Sequence, residues 1–133
     1  MAESLVYVDY SDVREGAQEE LEDAIEELAG FIEANVPEIL FYNVYLSDDG
    51  SEMTVVHVHA DPASLERHLE VGGPAFRRLA DLLTLKSIHI YGEPSERAAE
   101  QLRTKARDLG SGEVVVHPSA AGFSRLNRPV ERG

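Results

Sequence analysis

Neither cysteine nor tryptophan occurs among the 133 residues. The first absence removes disulfides, thiolate metal ligands and cysteine nucleophiles together. Basic side chains are scarce too, 12 against 25 acidic ones, for a formal net charge of −13. A nucleic-acid-binding protein needs a basic face to displace phosphate counterions, and this chain supplies none of any size. No apolar run approaches the roughly 20 residues of a membrane span, and no basic-plus-apolar leader precedes Ser4. Nucleophile-serine motifs and phosphate-binding glycine loops are missing, and Gly72-Gly73 belongs to neither. The expectation is a soluble protein of the cytoplasm with no nucleic-acid or membrane partner.

What charge there is lies unevenly. Residues 1–70 carry 18 acidic and 2 basic side chains, whereas residues 71–133 carry 7 acidic and 10 basic. Eight of the 25 acidic side chains crowd one helix, from Glu15 through Glu19, Glu20, Glu22, Asp23, Glu26 and Glu27 to Glu33, as expected of a solvated outer face. Arginine outnumbers lysine ten to two. The length suits one domain with one core. We expect that domain over 1–126, with a core at 4–92, an extension at 93–126 and a flexible tail at 127–133.

Leu5–Tyr10 alternates as a strand, and Asp12 with Glu15 three residues on predicts a capped helix start. Leu21, Ile25, Leu28 and Ile32 give that helix its apolar stripe, ended by Asn35 and Pro37. Ile39–Leu46 and Met53–His59 are strands joined by a turn at Gly50. Asp61-Pro62 opens a second helix, with Leu65 and Leu69 on its buried side. Gly72-Gly73-Pro74 is expected to break it before a segment carrying Phe76, Leu79, Leu82 and Leu83. Ser87–Tyr91 is the fourth strand. The order βαββαβ predicts an α+β, ferredoxin-like fold with a four-stranded antiparallel sheet. A third helix from Pro94-Ser95 to Gly110 and a short strand at Val114–His117 follow.

Alternation divides the strand residues between two faces. One collects Val6, Val8, Leu40, Tyr42, Val44, Val56, Val58, Ile88 and Ile90, suited to lie beneath the helices. The other collects Leu5, Tyr7, Phe41, Tyr45, Met53, Val55 and Tyr91 with Asp9, Asn43, His57, His59 and His89. That second face is too aromatic to stay open to water, so a homodimer through the sheet is expected.

Three stretches carry a family resemblance. They are Arg14-Glu15-Gly16, Pro37-Glu38-Ile39-Leu40 and, above all, the run His57-Val58-His59-Ala60-Asp61-Pro62-Ala63-Ser64-Leu65-Glu66-Arg67-His68. Over roughly 4–92 the chain resembles the dimeric α/β-barrel superfamily and, within it, the antibiotic-biosynthesis-monooxygenase-like domains. Asp61-Pro62 matches the family's helix start, Leu65 its leucine and His68 its helix histidine. His57 and His59 stand where Glu and Trp are common. His68 and Arg78 occupy the positions of the Trp and His of the haem-degrading branch, so the likeness does not extend there. The resemblance implies a dimeric barrel, a pocket near the second helix, and oxidation of a phenolic or quinol-like small molecule without a bound redox cofactor. The alternative is a homodimer that binds a small aromatic ligand, or is purely structural, with no turnover.

Two constellations could carry chemistry. His68 is the candidate catalytic base, since an imidazole titrates near neutrality. Tyr10, Tyr42 and Phe76 would close its cavity, with Arg78, or its neighbour Arg77, holding an anionic ligand. On the other sheet face His57, His59 and His89 would cluster with Tyr7 and Tyr91, and Asp9 would orient one ring. Three imidazoles could hold a divalent metal, but packing within the dimer seam is the expectation, with no metal bound. The two groups are expected on opposite faces, and the resemblance favours the His68 cavity.

Overall fold

A computed structural model describes residues 4–126, and the tail expected over 127–133 lies outside the described residues. Strands β1 (Leu5–Val13), β2 (Ile39–Leu46), β3 (Glu52–His59), β4 (Leu83–Tyr91) and β5 (Gly110–His117) alternate with helices α1 (Gln18–Asn35), α2 (Pro62–Phe76) and α3 (Glu96–Leu109). The order is the expected βαββαβ followed by αβ. The sheet, however, has five strands in the order β2-β3-β1-β4-β5 and is mixed. Its first four are antiparallel, and β5 joins β4 in parallel. A parallel neighbour needs a crossover, which α3 supplies. The extension thereby completes the sheet and covers the edge of β4.

Several boundaries move for physical reasons. β1 runs on to Val13, so Asp12 is a strand residue paired with Lys86 at 3.2 Å and caps nothing. Ala17 precedes α1 and offers no side-chain cap. Asp61, by contrast, caps α2, its Oδ1 accepting from the Ser64 N–H at 2.9 Å with Pro62 following. The expected break at Gly72-Gly73-Pro74 does not occur. Helix α2 continues through Pro74 to Phe76, and a 3-10 turn follows at Arg77–Leu79. Gly72 serves another purpose, because a Cβ there would stand 2.8 Å from Ile32 Cδ1. Its bare backbone lets α1 and α2 approach closely beside His68.

The main correction concerns which strand residues face the helices. On β1 the buried set is Leu5, Tyr7, Asp9, Ser11 and Val13, and on β3 it includes Met53, Val55, His57 and His59. The apolar members pack with Leu21, Leu28 and Ile32 of α1, Leu65 and Phe76 of α2, and Ala98, Leu102, Ala106 and Leu109 of α3. Val6, Val8 and Val56 therefore lie on the open face, opposite to expectation. On β4 the buried residues are Leu83, Leu85, Ile88 and Ile90. The register slips between Tyr10 and Ser11, so that Lys86 is an extra residue and Leu85 and Ile88 share a face. Phe41, Tyr45 and Tyr91 remain on the open face as expected, joined by Tyr10.

Candidate functional site

Beneath α2 the helix-facing side of the sheet carries polar groups that usually stay in water. Tyr7 stacks on His57 with ring centroids 3.9 Å apart, and His57 lies 4.3 Å from His68. Tyr42 reaches the same group from β2, 5.5 Å from His57 and 6.0 Å from His68. A hydrogen-bonded line runs from His57 Nδ1 to His59 Nε2 at 2.6 Å, and from His59 Nδ1 to Ser64 Oγ at 2.7 Å. The line fixes both rings, because each nitrogen's role is set by its neighbour's.

A second buried system adjoins it. Lys105 of α3 donates from Nζ to Tyr7 Oη at 2.6 Å, and the Tyr7 hydroxyl donates to Asp9 Oδ2 at 2.6 Å. Nζ also stands 3.5 Å from Asp9 Oδ2, with 13% of the lysine side chain exposed and none of the aspartate's. Burial pushes Asp9 up and Lys105 down, and each charge opposes the other's shift. The tyrosine hydroxyl and the ammonium both favour the carboxylate and so oppose the upward push of burial.

The cavity lies between α2 and α3, with Leu28 and Ile32 of α1 and Tyr42 of the sheet closing it. Its volume is about 370 Å³, and its wall is largely apolar, with His68, Phe76, Gln101 and Lys105 contributing. Within it, His68 Nδ1 and Gln101 Oε1 are buried without partners among the described residues. All three imidazoles are held neutral by burial. His57 and His68 lie well below the ordinary histidine value, through burial first and then the nearby Lys105 ammonium, and His59 is lowered to about 4. The same burial raises the Tyr42 hydroxyl.

Parts of the two constellations expected on opposite faces therefore meet. His57, His59 and Tyr7 join His68 and Tyr42 beneath the helices. His89 and Tyr91 stay on the open face, where His89 Nδ1 meets His117 Nε2 at 3.0 Å and Tyr91 stacks on His117. The three-histidine set needed for a metal is thus split, and no group of three metal-binding side chains forms among the described residues. Tyr10 is also on the open face, edge-on to His89. Arg78 pairs with Glu27 at 2.8 Å on the surface, and its neighbour Arg77 lines the cavity instead. Asp9 orients Tyr7 and Lys105, not an imidazole. Sequence reasoning missed Lys105 and Gln101. The signal was there: Lys105 is one of two lysines, and it recurs at helical spacing from Leu102 and Leu109 on a buried stripe.

The family model for antibiotic biosynthesis monooxygenases matches residues 5–81. The chain belongs to that family. Among solved structures, MupZ from Pseudomonas fluorescens is similar over 98% of this chain and 95% of its own, with a TM-score of 0.73 and 15% identity. SnoaB, a cofactor-independent oxygenase from Streptomyces nogalater, is similar over 71% of this chain and 96% of its own, at 0.59 and 22%. Rv0793 from Mycobacterium tuberculosis is similar over 70% and 97%, at 0.58 and 16%. At these identities the likeness is one of fold. The family model ends before α3 and β5, so the helix carrying Lys105 lies outside it, whereas the MupZ likeness takes in nearly the whole chain. No curated protein matches the sequence significantly.

Proposed function

We propose that the cavity binds a small phenolic or quinol-like molecule and that His68 serves as general base for its oxidation by dioxygen, without a bound redox cofactor. One observation carries the proposal. A neutral imidazole with an unpartnered ring nitrogen lies on the wall of an apolar cavity, in a chain of the antibiotic biosynthesis monooxygenase family. A pocket of this kind, with few polar groups converging in it, suits an aromatic ring bearing a reactive hydroxyl. Tyr42 and Phe76 offer aromatic surface to such a ring.

The reaction balances without further reagents. His68 takes the phenolic proton, and the phenolate bonds through its para carbon to dioxygen, reducing it to a peroxide. The proton returns to the peroxide, and loss of water leaves a quinone. With 1-naphthol as probe, one dioxygen is consumed per 1,4-naphthoquinone and one water is released. The purified protein should produce this quinone with one oxygen atom taken from labelled dioxygen. Label entering from water instead, or no oxidation of the naphthol, would remove the proposal.

We also propose that the open sheet face is covered by a second copy of the chain. Tyr10, Phe41, Tyr45 and Tyr91 are 40–49% exposed there, beside Val6, Val8 and Val56, and a two-fold partner would bury them. Light scattering at micromolar concentration should give the mass of a dimer. A persistent monomer counts against it.

A further inference from the structure

Only two lysines occur in this chain, and they are placed very differently. Lys86 is an exposed partner of Asp12 and Glu52. Lys105 is threaded into the core by α3, with Nζ 3.9 Å from the centroid of the Phe76 ring. A buried ammonium is costly unless its hydrogen bonds and charge are met. Among the described residues it meets two acceptors, Tyr7 Oη and Asp9 Oδ2. An ammonium carries three N–H bonds, so donor capacity remains beyond the bond to Tyr7. Lys105 lines the cavity and Asp9 does not, so the ion pair turns its positive end toward the space where a ligand would lie. Opposite, on α2, His68 faces the same space.

We propose that Lys105 is a catalytic residue that contacts substrate, a remaining N–H receiving the oxygen that His68 deprotonates, so that the cavity selects ligands whose reacting group becomes an oxyanion. The inference rests on the cavity being the substrate site, and it deepens that reading by naming the cation. Its physical basis is the cost of an oxyanion in an apolar cavity. His68, held neutral in these surroundings, is a weak base that cannot meet that cost alone. An opposite charge within ~4–6 Å favours the anion by about 1–3 pKa units. Because Tyr7 and Asp9 fix the ammonium beforehand, no reorganisation is needed when charge develops. Other charges face the cavity mouth, namely Glu70 held by Arg97, Glu100 held by Arg103, Arg77 and Asp108. All of these are exposed to solvent, which screens them.

The test uses two probes of nearly equal size, 4-nitrophenol and nitrobenzene, titrated into the full-length protein and followed by absorbance and calorimetry. Wild type should bind 4-nitrophenol as its yellow phenolate at a pH where the free compound is still the neutral phenol. Lys105→Met keeps the length of the side chain and removes the charge. It should weaken phenolate binding by about tenfold or more and change nitrobenzene binding by no more than about twofold. A purely structural lysine would weaken both alike, and that result would overturn the proposal. Lys105→Met leaves Asp9 without its cation, so the double variant Asp9→Asn/Lys105→Met is measured beside it and should discriminate between the probes in the same way. Wild type is decisive even if both variants unfold, since 4-nitrophenol bound there as the neutral phenol excludes the role. The two readings fail separately: nitrobenzene binding in the cavity without selection for the phenolate sinks Lys105 alone, and failure of both probes to bind sinks the cavity as well.

Discussion

Replacing His68 by alanine should lower turnover of 1-naphthol by about 10²- to 10⁴-fold, the usual contribution of a positioned general base, with little change in apparent affinity. The ring is buried but its Nδ1 holds no partner among the described residues, so the substitution breaks no hydrogen bond there and the variant should fold. Affinity should survive because Leu28, Ile32, Tyr42 and Phe76, which supply apolar surface to the cavity, are untouched. The pH profile gives a second readout. Burial and the positive charge of Lys105 lower the His68 pKa, so the base stays unprotonated at pH values where an exposed histidine is half charged. The acid limb of kcat/KM in wild type should therefore fall below the ordinary histidine value of about 6.5. Turnover unchanged in His68→Ala, or an acid limb at the ordinary value, would each remove His68 from the base's role.

The largest loss of stability is expected at Asp9. Replacing it by alanine leaves Lys105 buried beside Tyr7 and Phe76 with no counter-ion, and stranding one partner of a buried pair costs about 3–5 kcal/mol. Removing both charges in Asp9→Asn/Lys105→Met should recover much of that, since a buried pair is worth far less than the penalty of breaking it. Urea unfolding of the three proteins measures both effects. Should Asp9→Ala lie within about 1 kcal/mol of wild type, Asp9 and Lys105 do not form a buried ion pair. The comparison also separates stability from chemistry, because the double variant would be stable yet lack the cation that receives an oxyanion.

The candidate site was partly legible. His68, Tyr42 and Phe76 were read from the sequence, and they do line one cavity. Strand alternation places His57 and His59 on the opposite face, and the structure reverses this for a specific reason. On β1, Leu5 and Tyr7 alternate with Val6 and Val8; on β3, Met53 and Val55 alternate with Val56 and Val58. Both faces of these strands are apolar, so the pattern does not say which one meets the helices. The polar residues Asp9, His57 and His59 then argued for the wrong face. Polar side chains belong in the core only when partners await them, and those partners are Lys105, Ser64 and Tyr7. Lys105 lies 98 residues from Tyr7 along the chain. The break expected at Gly72-Gly73-Pro74 failed for a related reason. Gly72 answers to Ile32 on another helix, a constraint invisible to local punctuation.

Local chemistry, written into the chain itself, determined the order of strands and helices, the Asp61 cap, the excess aromatic surface on the sheet and the likeness to the monooxygenase family. Those properties depend on neighbours a few residues apart, or on composition alone. The tertiary structure decided the fifth parallel strand, the inward-facing side of β1 and β3, and the meeting of His68 with the Lys105–Asp9 pair. Each depends on groups remote in sequence satisfying one another's charge, hydrogen bonds or volume, and such compensation exists only once the chain has folded.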